Sequence, residues 1–179
     1  MLTTEHLIEL LTRYVADSDT PVDLLLVGAL ALHAYGVPAR VTHDVDAELQ
    51  GPVMPLRDYL MSKNIPADLT QNFSGWSVVA MPPGYRDRAV ALINRPRLRI
   101  RVLSPVDFVI AKLRRGTELD LDDAFLVARQ HHLSTEIIRN STREALGASP
   151  QDTALFLFQK TVDLFCNGLT LMDQKDRTK

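Results

Sequence analysis

Apolar residues at Leu7, Leu10, Leu11 and Tyr14 recur three and four apart, which predicts an amphipathic first helix, capped by Thr3 or Thr4 and ending near Asp17 to Thr20. The pattern then changes. Residues 22–27, VDLLLV, are a continuous β-capable run bounded by turn residues and predict a short buried strand. Gly28-Ala29 follows at once, and Leu30 to Tyr35 has helical character with Gly36 as a left-handed stop. Beyond Pro38, VTHDVDAEL alternates and predicts a second strand with one polar face. Pro55 suits the first turn of a helix running to about Lys63, and SVVAM and AVALI then read as strands on either side of a turn at Pro82-Pro83-Gly84. Residues 98–102, LRIRV, alternate strictly.

From Ser104 onward the periodicity is helical. Ser104-Pro105 with Asp107 predicts a capped start for a helix through Lys112, and Asp120 with Asp123 repeats the arrangement for a helix through His131. Two more helices are expected, from Thr135 to Leu146 ending at Gly147, and from Pro150 to Cys166 closed by Asn167-Gly168. Strands mixed with helices come first and helices alone come last, so the fold class is α+β. The expected layout is a core over residues 1–130, C-terminal helices packed on it over 131–170, and a flexible tail over 171–179. The last helix carries Leu155, Phe158, Val162 and Phe165 on one face, which packs on the core or forms a homodimer seam.

Composition narrows the classes of function. The 179 residues are 46% hydrophobic and 23% charged, enough to bury a core. Twenty basic against 22 acidic side chains give a formal charge of -2, so contact with nucleic acid must be local rather than a broad basic coat. The single cysteine, Cys166, has no partner for an internal disulfide and reads as a buried apolar filler. No apolar run reaches bilayer length and Glu5 and His6 stand where a secretory leader would be basic then apolar, so a cytoplasmic protein without membrane attachment is expected.

The candidate chemistry lies in the second strand. In an extended strand Asp44, Asp46 and Glu48 project from one side, successive members roughly 7 Å apart. Acids so placed repel one another unless a cation lies between them, and hard oxygen ligands select Mg²⁺ or Mn²⁺. The candidate metal ligands are therefore Asp44, Asp46 and Glu48; the other reading is an exposed strand face of solvated acids. Gly28 and Ala29 lie between an apolar strand and a helix, where minimal side chains let phosphate approach backbone N–H groups or simply allow close packing.

Residues 28–46, G-A-L-A-L-H-A-Y-G-V-P-A-R-V-T-H-D-V-D, resemble the opening motif of the DNA polymerase β-like nucleotidyltransferase superfamily, in particular the bacterial branch with AbiEii-type abortive-infection toxins. Gly28, Gly36, Arg40, Thr42, Asp44 and Asp46 fall in register with that branch. PPGYRDRAV at 82–90 and LSPVDFVIAKLRRGTELDLDDA at 103–124 are similar to its later segments. The resemblance implies a mixed sheet with helices on one face and a helical C-terminal part. It also implies transfer of a nucleoside monophosphate from an NTP to an acceptor hydroxyl on RNA, protein or a small molecule. Asp44 and Asp46 would be catalytic and hold the metal, while Gly28, Ala29, Arg40, Thr42 and Lys112 would bind the nucleotide. A toxin–antitoxin or phage-defence role with a cognate antitoxin is the implied setting.

Two positions depart from the pattern. Ala29 replaces a glycine or serine, and the strand expected to supply a third carboxylate, RPRLRIRV, presents Arg95, Arg97, Arg99 and Arg101 on one face instead. Glu48, on the same strand as the pair, or Asp68, in the segment before Phe73, is the candidate substitute, neither at the position the pattern gives, and a catalytically inactive binding or regulatory module is the alternative function. The arginine row reads as a solvated edge-strand face, with phosphate contact the other reading. Trp76 reads as a core aromatic, and Lys112 with Asp120 as either a structural ion pair or ligand contacts.

Overall fold

The computed structural model describes residues 2–37 and 42–177. The chain divides into two compact units, residues 1–73 with 86–104 and residues 74–85 with 105–179.

The first unit holds α1 (Thr4–Ser18), β1 (Val22–Leu26), α2 (Ala29–Ala34), β2 (Val45–Gln50), α3 (Val53–Ser62), β3 (Ala67–Thr70), β4 (Val90–Arg95) and β5 (Leu98–Val102). Its sheet is mixed, in the order β3-β2-β1-β5-β4, with β1 antiparallel to β2 and parallel to β5. The apolar run of β1 over residues 24–26 is explained by this central place: Leu24, Leu25 and Leu26 are all buried. Thr3 caps α1 by accepting from the His6 amide at 3.2 Å, and Gly36 at φ 71° follows the short α2.

Two expectations fail here for identifiable reasons, and one strand is added. The second strand begins at Val45, because the Thr42 carbonyl accepts from the Leu2 amide at 2.9 Å and the Thr42 hydroxyl donates to Asp44 at 2.5 Å, drawing 42–44 into a local turn. Asp44 therefore precedes the strand, and only Asp46 and Glu48 share a strand face. The arginine row is divided: β4 and β5 form a hairpin that turns at Pro96-Arg97, and β5 lies inside the sheet, not at its edge. The strand β3, A-D-L-T, is too short to show a pattern; it pairs in parallel with β2.

The second unit holds α4 (Pro105–Arg115), α5 (Glu118–Gln130), α6 (Thr135–Ala148) and α7 (Ala154–Arg177). The helices α4 and α5, grouped with the core on sequence, cluster with α6 and α7. Residues 77–81, SVVAM, form no strand because serine hydroxyls capture their amides: Val79 N–H donates to Ser77 at 3.2 Å, Ala80 N–H to Ser149 at 2.8 Å and Met81 N–H to Ser74 at 2.9 Å. Trp76 is 41% exposed, contrary to its reading as a core aromatic. The cap of α5 is Thr117, whose hydroxyl accepts from the Asp120 amide at 3.2 Å.

Gly168 does not end α7. A Cβ there would stand 3.0 Å from Phe125 Cζ, so the glycine serves the close approach of α5 and α7, where Phe125 and Phe165 stack at 4.3 Å. Phe158, Val162, Phe165 and Cys166 are buried on this side, while Leu157, Leu164 and Leu171 are exposed. Burial pushes the Cys166 thiol up.

Phe165→Ala is expected to cost about 3–5 kcal/mol in chemical denaturation, whereas Leu164→Ala stays within about 0.5 kcal/mol. Equal effects would place the wrong face of α7 in the core.

Candidate active site

Antiparallel pairing of β1 and β2 brings the end of β1 to the start of β2, so the Val27 amide donates to the Asp46 carbonyl at 3.0 Å. The next residue is Gly28, whose φ of -99° lies outside the left-handed region that favours glycine. Space demands the glycine: a Cβ at this position would lie 2.2 Å from Asp46 Oδ2 and 2.6 Å from Asp46 Cβ. The half-buried Asp46 carboxylate is thus laid directly on the bend that opens α2. Ala29 is the first residue of α2, and no side chain caps that helix. Asp44 is exposed and held by the buried Thr42, which makes Thr42 an orienting group for the first acid.

Asp68 enters from β3. Its register partner across the parallel pair is Asp46, and adjacent strands lie about 4.8 Å apart. The sequence offered this acid without a place, because β3 itself was illegible. Among the described residues, no three metal-ligating side chains are grouped closely enough to form a cage by themselves.

Glu48 has a different part. It is 1% exposed, and its carboxylate accepts from Arg86 Nε, from Arg86 Nη2 at 3.1 Å and from the Phe73 amide at 2.8 Å. A buried carboxylate needs such compensation, and here it ties the segments at 73 and 86 across the sheet face. Arg86 was not singled out as a site residue; its pairing depends on a turn that sequence spacing does not define. On β5, Arg101 is 7% exposed and donates to Asp23 at 2.8 Å and to the Arg86 carbonyl at 2.9 Å. Its Nε is buried without a partner among the described residues. The strand adjoining β1 therefore supplies cations where a third acid was sought.

Lys112 lies in the helical unit, with Nζ 2.8 Å from Asp123 and 3.2 Å from Asp120. Arg115 donates to both Asp120 oxygens, at 2.9 and 2.7 Å, and Thr117 adds a third contact at 2.6 Å. This is the geometry of a structural ion cluster. Burial pushes the Asp120 carboxyl upward, but the bonds from Arg115 and Thr117 and the charges of Lys112 and Arg115 outweigh it and hold it below the ordinary value. Burial also draws the Arg114 guanidinium down to about 10. Arg40 lies outside the described residues.

Residues 5–149 match the family described as "Nucleotidyltransferase of unknown function" (DUF6036). No curated protein and no solved structure matches the chain.

Gly28→Ala is expected to destabilise the first unit by about 1–3 kcal/mol through overpacking against Asp46, measured by thermal or denaturant melts; an unchanged melt would mean that β2 yields freely. For Asp120, a depressed carboxyl contributes stability above its unfolded pKa of about 3.9, lost as pH falls through the lower folded value. Asp120→Asn should therefore reduce stability at pH 7 and narrow its difference from the parent protein below about pH 4, as followed by denaturant titration at each pH.

Proposed function

The chain belongs to this nucleotidyltransferase family, and from that premise we propose that it moves a nucleoside monophosphate from an NTP to an acceptor hydroxyl at the Gly28–Asp46 bend, the acceptor oxygen bonding to the α-phosphorus as the α–β anhydride bond breaks and pyrophosphate leaves. The observation that carries the reading is the lack of room for even one carbon between bend and carboxylate. A bend that admits backbone and acid at such close range can present N–H groups and a metal-binding oxygen to one triphosphate.

Mg²⁺ or Mn²⁺ fits the donor set. Asp44 and Asp46 offer hard oxygens, and Mg²⁺ characteristically takes one or two carboxylates beside substrate phosphates rather than a complete protein cage. When bound, it supplies Lewis-acid neutralisation of phosphate charge during transfer. The remaining work falls to the chain. Thr42 fixes the rotamer of Asp44, uncapped first-turn amides of α2 donate to phosphate oxygens, and Asp68, in register with Asp46, accepts the proton of the acceptor hydroxyl. Glu48 is assigned to the Arg86 pairing instead of to the metal. RNA, protein and small-molecule hydroxyls all suit this chemistry, and the AbiEii-like resemblance favours a setting with a cognate antitoxin.

A catalytically silent nucleotide-binding module is favoured by one observation, the Arg99 and Arg101 side chains on the strand where a further acid was expected. Label transfer separates the two. With α-phosphate-labelled NTPs, Mg²⁺ and a cell-derived acceptor pool, the parent protein is expected to transfer label, Asp68→Asn to slow transfer by roughly 10²–10⁴-fold, and Asp44→Ala with Asp46→Ala to abolish Mg²⁺-dependent NTP binding. Binding that survives the double substitution would overturn the site; binding without transfer would establish the silent module.

A further inference from the structure

Gln50 of β2, Asp23 of β1, Arg99 of β5 and Asn94 of β4 stand in register as one polar row across the sheet. Together with Arg95 and Arg97 of the β4–β5 hairpin they line an open cleft of about 600 Å³. Asp23 lies five residues before Gly28 on β1, so the cleft is roughly 16 Å from the bend. Between them, Glu48 is closed over by Arg86 and the Phe73 amide.

The charges in the cleft are not balanced. Asp23 is compensated from behind by the buried Arg101 at 2.8 Å, and Arg99 reaches it only at 3.8 Å, beyond a hydrogen bond. Arg97 is engaged by Asp19 through both the carboxylate and the carbonyl. Arg95 is exposed and forms no ion pair among the described residues. Two exposed guanidiniums, Arg95 and Arg99, thus retain most of their donors on a chain whose formal charge is -2; Arg99 lies in the polar row with Asn94, Asp23 and Gln50, whereas Arg95, opposite Leu98, lines the cleft from the other face at the end of the hairpin. Guanidinium forks match phosphate oxygens bidentately, and the volume falls in the range of about 300–1,000 Å³ typical of ligand sites, larger than one small inorganic ion requires.

We infer that this cleft is a second anion site, separate from the Gly28 bend, that takes a polyphosphate or phosphodiester through Arg95 and Arg99. It requires no catalytic activity, so its failure is distinguishable from failure of the transfer reaction.

The test uses the full chain in EDTA, which removes divalent-dependent binding at Asp44 and Asp46. One probe is a fluorescein-labelled 12-nucleotide single-stranded RNA followed by anisotropy, and the other is inorganic tripolyphosphate followed by calorimetry. Arg95→Gln with Arg99→Gln is expected to weaken the bound probe by about tenfold or more. For RNA it should also flatten the slope of log affinity against log salt by about 1.4, as for two lost phosphate contacts. Asp44→Ala with Asp46→Ala should bind like the parent protein. Loss confined to RNA identifies a phosphodiester strand and loss confined to tripolyphosphate a compact polyphosphate, and either supports the site. Both altered side chains are exposed, so thermal melts should be unaffected. No binding of either probe by the parent protein, or equal binding by the arginine variant, overturns the inference.

Discussion

The close approach of a carboxylate to a glycine governs the first unit. Antiparallel pairing makes Val27 and Asp46 neighbours through a backbone hydrogen bond, and the chain must leave β1 at the point where the Asp46 side chain occupies the space above it. Any residue larger than glycine at 28 would push either the start of α2 or the start of β2 away, separating the bend from the Asp46 carboxylate. The demand is steric, since a Cβ at Gly28 would overlap both the Cβ and the carboxylate of Asp46, and φ at Gly28 is negative.

From that point the sheet face changes character along the strands. Near the bend it offers acids, in the middle it is closed by the Glu48–Arg86 pair, and at the far end it is rich in guanidinium and amide groups. The buried Glu48 has near-complete satisfaction of its oxygens, the condition under which an ion pair removed from water is tolerable. One strand thus carries, two residues apart, the acid proposed for chemistry and an acid committed to an internal ion pair, and alternation alone cannot tell them apart.

What could be read in advance was whatever depended on neighbours in sequence. The strands β1 and β5 announce themselves by the apolar run of residues 24–27 and by strict alternation, and the cap at Thr3 follows from local hydroxyl chemistry. The Gly28-Ala29 bend between β1 and α2 was legible for the same reason, whereas the strand face expected for Asp44 was not, because Thr42 draws it into a turn. Elements that depend on distant partners were not. SVVAM has strand composition, yet Ser74, Ser77 and Ser149 take its amides; ADLT lacks any pattern, yet β2 recruits it. Asn167-Gly168 has the form of a helix stop, but Phe125 on another helix decides its meaning. Likewise the partner of Glu48 lies 38 residues away in a turn.

The chain crosses between its two units at 73/74, 85/86 and 104/105. A fragment ending after Ser104 would contain every strand of the sheet but would leave residues 74–85 without their anchors, since the Ser74 carbonyl accepts from Arg114 and the Ala80 amide donates to Ser149. On a ribosome the sheet is fully synthesised while that excursion still awaits helices not yet made, so the buried Val79 and Met81 would stay exposed to water until the C-terminal half emerges. Dissecting the protein by truncation would therefore create an aggregation-prone intermediate rather than a minimal catalytic piece.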